Sequence, residues 1–342
     1  MGNMVYNVND TATQVLAAKQ VKENIFAEVL HRNGKGVTEQ TDTNVSTLRM
    51  MKPKPFNDDA RTLGAAKNGG HFNANDAGFA EITEYDLNLL YIYDKGVDIP
   101  EVQQDTCPVN VMDAATKNIG GRVATEINAS TIAHQLVEKY NAAQVAAAWT
   151  GLGVVMGTDD KAAYTAVLEA STMLDDGDEE NGIQAFPFDE RQILLRPTFR
   201  QKLFTNGVLL GGSNYAQSML AKGVVSPEAK KEFGSMYCGE IDGTPCYITP
   251  GVLFKRAGEW VGAATAFDAT QAIVCAASAT DRGISTQDYI KIIDSPNGAG
   301  KRLQPKTRWG INVCYPKGIV PILANGTAKP ASTLTVTSPG SR

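Results

Sequence analysis

The sequence predicts an α+β protein with unusually long loops, and three observations support this fold class. Strand-like segments lie on both sides of one long helical segment, Val111 to Trp149. The chain has 342 residues, of which 43% are hydrophobic and 20% are charged, so it can bury at least one substantial core. Its 32 glycines and 15 prolines follow no collagen-like period and therefore favour turns and loops.

Residues 1–80 hold too few apolar side chains for a core of their own. A short helix is predicted from Thr11 to Leu30, because its apolar residues recur at a spacing of three to four. From Met51 to Ala80, prolines and glycines are mixed with Asn and Asp. That composition predicts an extended arm or a long hairpin.

The next segment carries the most regular pattern. Strands are predicted over Glu81–Tyr93 and over Val97–Val102, which are rich in aromatic and β-branched residues. Apolar residues at helical spacing then predict one helix over Val111–Trp149, which at about 1.5 Å per residue spans more than ~50 Å. Gly120 and Gly121 lie inside it and predict either a bend or a later start.

The second half of the chain alternates short helices and strands with glycine-rich loops. The predicted elements are a helix over Lys161–Leu174, a strand over Gln192–Arg196, a helix over Thr198–Phe204, a hairpin over Gly239–Ile248 turned at Asp242 and Gly243, a β-like segment over Val261–Ala279 and a final strand over Arg308–Val320 interrupted by Pro316. The tail from Ala324 to Arg342 is predicted to be a linker, or a strand that borrows a partner.

No catalytic, cofactor-binding or metal-binding residue is predicted. The loop after Ile290 resembles a phosphate-binding loop, but Ser295 replaces its first glycine and Arg302 replaces its magnesium-binding hydroxyl. The acidic residues from Asp175 to Glu180 lack the pattern of a calcium loop, so a solvated loop is favoured. The chain has three histidines, none of them at the spacing of a zinc site: His31, His71 and His134.

The cysteines and the N-terminus indicate a reduced, cytoplasmic setting. Five cysteines form no C-x-x-C pair, and neither a secretion signal nor a membrane-spanning segment is recognised. Cys238 and Cys246 flank the turn at Asp242, where core packing is favoured over a facing pair of thiols.

Charge is distributed unevenly. From Thr158 to Glu190, ten acidic residues and one basic residue give −9, whereas from Gly283 to Arg342 eight basic and two acidic residues give +6. Two such segments attract each other in copies of one chain. The net charge of −5 argues against a protein that coats duplex DNA. Four cations nevertheless lie close enough together to neutralise phosphates without reading bases: Lys301, Arg302, Lys306 and Arg308.

The order of these elements resembles that of the major capsid proteins of tailed bacteriophages, the Hong Kong ninety-seven fold. Two segments carry the resemblance. Phe186 to Pro197, followed by Phe199 and Leu203, is similar to a strand-proline-helix step in the family's axial domain. Arg308 to Val320 is similar to the last strand of the family's peripheral domain.

The resemblance implies six regions. They are an N-terminal arm (1–50), an extended β-hairpin loop that overlies a neighbouring subunit (51–80), a peripheral domain (81–159) with a spine helix (111–149), an axial domain around the capsomer axis (160–276), a return through the peripheral domain (277–324) and a C-terminal tail (325–342). Some relatives form Lys–Asn crosslinks. Lys52, Lys54 and Lys67 lie in the loop, but no Asn partner is identified, so no crosslink is predicted.

The resemblance implies a structural protein of the virion and not an enzyme. Hexamers and pentamers of the chain would form an icosahedral shell around phage DNA, assembled in the cytoplasm of the bacterial host. A scaffolding protein, a portal and decoration proteins are the expected partners, with non-specific contacts to packaged DNA and none to a membrane. Two alternatives stay open: an encapsulin-like shell of a cellular compartment, and a cytoplasmic α+β enzyme with a glycine-rich lid.

Overall fold

The computed structural model describes residues 38–42, 47–53, 82–100, 111–145, 153–158, 162–205, 237–262, 264–285, 290–298, 300–327, 333–337 and 339. The predicted helix from Thr11 to Leu30 and most of the extended loop lie outside these ranges.

The described residues form five α-helices and fifteen strands. The helices are α1 (Val111–Val145), α2 (Ala162–Asp175), α3 (Pro197–Thr205), α4 (Gly251–Val261) and α5 (Ala264–Ala269). The strands are β1 (Thr38–Asp42), β2 (Thr47–Pro53), β3 (Ile82–Asn88), β4 (Tyr91–Tyr93), β5 (Val97–Pro100), β6 (Val154–Val155), β7 (Arg191–Leu195), β8 (Tyr237–Ile241), β9 (Thr244–Ile248), β10 (Thr270–Ala276), β11 (Thr280–Ser285), β12 (Ile290–Asp294), β13 (Gly300–Pro305), β14 (Thr307–Val313) and β15 (Ile319–Leu323).

The long helix α1 confirms the prediction as far as Val145. It continues through Gly120 and Gly121, so the expectation of a later start was wrong. Its apolar stripe, including Ile127 and Leu136, is buried in the largest of the three core clusters of the described residues. Burial of that stripe offsets the cost of two interior glycines, about 1 kcal/mol each relative to alanine.

A six-stranded sheet separates the two larger clusters. Its strand order is β6-β15-β10-β7-β9-β8, with β7 parallel to β9. Alternate side chains of β10 lie on opposite faces of the sheet, as the two-residue period of a strand requires. Ile273 lies in the cluster with α1 and α4, whereas Val274 lies in the cluster with α2 and α3. Because both faces are covered, β7 and β15 are buried along their whole length.

A four-stranded sheet, in the order β1-β11-β14-β4, packs against α1. On the face toward the helix, Trp309 Nε1 donates to Ser130 Oγ at 2.8 Å, and the buried Arg282 donates to Thr131 Oγ1 at 3.4 Å. The opposite face, here called the outer face, contacts the β2–β3 hairpin through Gly283. A separate three-stranded sheet has the order β12-β13-β5.

The hairpin predicted over Gly239–Ile248 is confirmed as β8 and β9. Asp242 and Gly243 form its turn with φ angles of 52° and 71°. Positive φ at both central residues is the signature of the type I′ turn that a two-residue hairpin prefers.

Two predicted strands were wrong in part. The segment Val261–Ala279 begins with the end of α4 and with α5, and only β10 within it is a strand. Its many alanines are the strongest helix formers, which outweighs their small-apolar resemblance to a buried strand. The segment Arg308–Val320 is divided between β14 and β15, which lie in different sheets on either side of a 3₁₀ turn, Pro316–Gly318.

Residues 333–337 of the tail contact helices of their own chain. Asn141 of α1 donates from Nδ2 to the carbonyl oxygen of Leu334 at 2.9 Å and accepts from the Leu334 amide at 2.8 Å. The Thr337 amide donates to the carbonyl oxygen of Trp260 in α4 at 2.7 Å. Among the described residues, no helix is long and apolar enough to span a membrane.

Candidate functional site

Two of the four predicted phosphate-binding cations are held in ion pairs within the chain. Lys301 Nζ lies 2.5 Å from Asp294 Oδ1 across the β12–β13 hairpin. Arg302 donates from Nε and Nη2 to the two carboxylate oxygens of Asp98 on β5, at 2.6 and 2.7 Å. The Arg302 hydrogen bonds are the main reason that the pKa of Asp98 is lowered to about 2. Lys306 and Arg308 are the exposed members of the set.

The loop that resembles a phosphate-binding loop is the turn between β12 and β13. A phosphate-binding loop leads into a helix, whose first amides bind the anion. Here the chain enters strand β13 at Gly300. The segment therefore lacks the local structure that the chemistry requires, in agreement with its mismatched residues.

The acidic segment is partly neutralised inside the same chain. The fully buried Arg191 donates to Asp175 Oδ1 at 2.6 Å. Asp178 is buried and lies 3.0 Å from Lys317 Nζ, while Asn181 donates to its other oxygen at 2.7 Å. Lys317 belongs to the basic segment. The attraction predicted between copies thus operates in part within one copy.

A buried lysine lies beside this pair. Lys139 of α1 is 1% exposed and donates from Nζ to the carbonyl oxygen of Pro316 at 3.0 Å. Burial, and then the positive charge of Lys317, lower the pKa of Lys139 to about 7, against the opposing effect of Asp178. No sequence signal pointed to Lys139, because its partners are distant in the chain.

The cysteine pair at the hairpin is part of the core. Cys238 and Cys246 both lie in the cluster that covers α2 and α3, and Cys238 Sγ donates to the carbonyl oxygen of Cys246 at 3.3 Å. Burial raises the pKa of Cys238 to about 11 and that of Cys246 well above its usual value. Both thiols are therefore protonated at neutral pH, where a thiol is a weak nucleophile.

The remaining candidate residues are the three histidines. His134 Nε2 lies 2.8 Å from Tyr91 Oη, whereas His31 and His71 lie outside the described residues. In the part of the chain that the structure describes, no group of three or more His, Cys, Asp or Glu side chains is arranged to hold a metal ion.

The base of the predicted extended loop is an ordered hairpin that lies on the outer face of the four-stranded sheet. β2 and β3 pair in antiparallel register from Thr47 opposite Asn88 to Pro53 opposite Ile82. Leu48, Leu87 and Leu89 are buried in a small cluster of their own over Gly283. The hairpin therefore has an apolar attachment to the sheet.

A polar contact joins the same two surfaces. Tyr85 of β3 donates its hydroxyl to the buried Asp281 of β11. Cys314 Sγ donates to the same carboxylate oxygen at 3.1 Å and lies 3.4 Å from the Tyr85 hydroxyl. The apolar cluster and this contact together attach β2 and β3 to the four-stranded sheet.

An open pocket of about 270 Å³ lies where α1, α4 and the end of β4 meet. It is lined by Tyr93, Lys95, Arg122, Thr125, Glu126 and Arg256. Glu126 accepts from Arg256 Nε at 2.9 Å and from Trp260 Nε1 at 3.0 Å. Residues 130 positions apart build this site, so no local motif in the sequence could have revealed it.

Comparisons with known proteins place this architecture. No protein-family profile and no curated sequence matches the chain. Among solved structures, a chain of the structure called "Asymmetric unit of bacteriophage PhiM1 mature capsid" aligns with 85% of this chain and 86% of its own length, at a TM-score of 0.53 and 9% identity. A chain from Mycobacterium phage Che8 aligns with 87% of this chain and 90% of its own length, at a TM-score of 0.50 and 13% identity.

These alignments cover most of this chain and most of each capsid chain. At such low identity they establish the fold. The predicted α+β class is confirmed, and the chain has the phage capsid fold that its order of elements resembles.

Proposed function

We propose that this chain is the major capsid protein of a tailed bacteriophage, and that its hexamers and pentamers form an icosahedral shell around phage DNA. The observation that carries the proposal is the alignment with a chain of a mature phage capsid over 85% of this chain.

The proposed division of labour follows the sheets. The β2–β3 hairpin directs the extended loop toward a neighbouring subunit, and α1 is the spine of the peripheral domain. The six-stranded sheet forms the greater part of the axial domain, around the capsomer axis. In this division β15 pairs with β10, so residues 319–323 contribute to the sheet of the axial domain.

Contacts with packaged DNA are assigned to the exposed cations Lys306 and Arg308. Lys301 and Arg302 are engaged with Asp294 and Asp98, and breaking those pairs would offset the gain from binding a phosphate. Two cations per copy, repeated over a shell, supply a weak and sequence-independent attraction. A scaffolding protein, a portal and decoration proteins remain the proposed partners, with assembly in the host cytoplasm and no catalytic activity.

The experiment is to express the chain alone and examine the product by sedimentation velocity and negative-stain microscopy. We expect closed shells of uniform size. Monomers or small closed oligomers under all assembly conditions would contradict the shell and favour the enzyme with a glycine-rich lid. Particles from the native source that contain nucleic acid would identify a phage head. Particles that contain protein cargo would identify an encapsulin-like compartment.

A further inference from the structure

The acidic loop after α2 presents two carboxylates from a fixed support. Asp175 is held by Arg191, and Asp178 is held by Lys317 and Asn181. Between and beside these anchors, Asp176 and Glu179 are exposed, and their carboxylates have no hydrogen-bond or ion-pair partner among the described residues. Because the anchors already fix the backbone, binding through Asp176 and Glu179 would cost little conformational entropy.

The pocket between α1, α4 and β4 presents two cations in the same way. Arg256 is held by Glu126 at 2.7 Å and also contacts Glu259. Arg122 and Lys95 line the pocket, are exposed, and have no carboxylate partner within the described ranges. The fixed pair of Arg256 and Glu126 forms the floor, and Lys95 and Arg122 are left to bind an anion from outside.

The chemistry favours carboxylates over nucleic acid as that anion. A duplex presents a dense row of phosphates and is bound by a matching row of cations. This pocket has two available cations and is also lined by the negatively charged Glu126, while Glu259 contacts Arg256. A pair of carboxylates on a fixed loop matches two cations in number and sign.

We propose that the pocket at Lys95 and Arg122 receives Asp176 and Glu179 from a second copy of this chain. The inference rests on the proposed function, because it assigns one of the contacts between neighbouring subunits of the shell. An exposed ion pair contributes little by itself. Repeated at every equivalent interface, such pairs set the register of neighbours and disfavour wrong contacts.

A charge exchange tests the contact. The pocket variant carries Lys95→Glu and Arg122→Glu, the loop variant carries Asp176→Lys and Glu179→Lys, and a third chain carries all four changes. We expect each double variant to give about tenfold fewer particles at low salt, because like charges then oppose each other, and the fourfold variant to regain the wild-type yield. The matched control is Lys117→Glu with Lys255→Glu, which changes net charge equally on exposed positions of α1 and α4 outside the pocket. It should assemble normally.

Zero-length carbodiimide crosslinking locates the contact without mutation. In particles grown from a mixture of ¹⁴N and ¹⁵N chains, Lys95 should be joined to Asp176 or Glu179 in mixed-isotope peptides. Wild-type particles without that crosslink, or double variants that assemble like the wild type, would overturn the inference and leave the shell intact. A pocket variant that loses packaged DNA and is not rescued by the exchange would assign the pocket to phosphate. Wild-type chains that form no particle would contradict the proposed function itself.

Discussion

His134 joins the long helix to the edge strand β4 through one hydrogen bond. Its Nε2 lies 2.8 Å from Tyr91 Oη, and the Tyr91 ring packs edge-on against Trp260 with centroids 4.9 Å apart. Burial lowers the pKa of His134 from 6.5 to about 4. The neutral imidazole is therefore the form that belongs to the folded protein.

This burial makes the fold sensitive to acid. As pH falls below about 6.5, the unfolded chain takes up a proton at His134 before the folded chain does, so stability is lost down to about pH 4. We expect the free energy of unfolding of the wild type to fall by roughly 3 kcal/mol more than that of His134→Gln between pH 7 and 4. Urea titrations at several pH values measure this difference. Equal losses in the two proteins would contradict it.

Lys139 should make the stability of the fold depend on pH above 7. Its folded pKa of about 7 lies below the ordinary 10.5, so the unfolded chain holds the proton more tightly over that window. Stability should therefore rise with pH above 7, by at most about 1.4 kcal/mol per unit. Lys139→Met should remove this rise and be the more stable protein at pH 7, because no charge is then buried. Thermal unfolding of both proteins at pH 7 and 9 tests both statements. The same dependence of stability on pH in the wild type and in Lys139→Met would refute them.

At the scale of single residues, sequence patterns predicted which side chains are buried better than they predicted the polar contacts of those side chains. The α1 stripe through Ile127 and Leu136 was recognised from its spacing, because one helix face contains all the information. The partner of Lys139 is Pro316, 177 positions away, and only the fold brings the two together. His134 was considered as one of three histidines without the spacing of a zinc site, and its bond to Tyr91 was not foreseen for the same reason.

At the scale of elements, two glycines allow the β2–β3 hairpin to lie on the four-stranded sheet. Gly283 and Gly310 are register partners on β11 and β14. A Cβ atom on Gly310 would lie 2.1 Å from the carbonyl oxygen of Asn88, and one on Gly283 would lie 2.5 Å from Leu48 Cδ1. The Leu48 side chain can rotate away from an added Cβ. The backbone of β3 can avoid one only by moving away from the four-stranded sheet.

Gly310→Ala should therefore detach the hairpin. We expect a loss of roughly 2 kcal/mol in stability and faster hydrogen exchange at the β3 amides, with Gly283→Ala the milder change. Gly121→Ala in α1 is the control, since nothing lies within 4 Å of its added Cβ, and it should stabilise the protein by about 1 kcal/mol. A Gly310→Ala protein with wild-type exchange in β3 would show that the close approach is not required.

Local patterns predicted several elements and missed those that depend on context. The Asp242–Gly243 turn, α1 and α2 were predicted because turn chemistry and helical spacing are local. α4 was missed although Phe254, Ala257 and Trp260 are buried at helical spacing. The division of Arg308–Val320 between two sheets depends on which strands pair, which a single segment does not specify.

At the scale of the whole molecule, the resemblance to phage capsid proteins lay in the order of elements. The structure explains why the order of elements indicated the fold although short motifs did not. Three of the eight cations in the basic segment, Lys301, Arg302 and Lys317, are engaged with carboxylates of the same chain, namely Asp294, Asp98 and Asp178. The exposed charges at Lys95, Arg122, Asp176 and Glu179 are single positions that no sequence window distinguishes.

The most direct measurement is a cryo-electron microscopy reconstruction of particles formed by the purified chain. We predict closed icosahedral shells built from hexamers and pentamers, with α1 in the peripheral part of each subunit and the six-stranded sheet toward the capsomer axis. Open helical tubes, or small closed oligomers as the only product, would contradict the proposal that this chain forms an icosahedral shell.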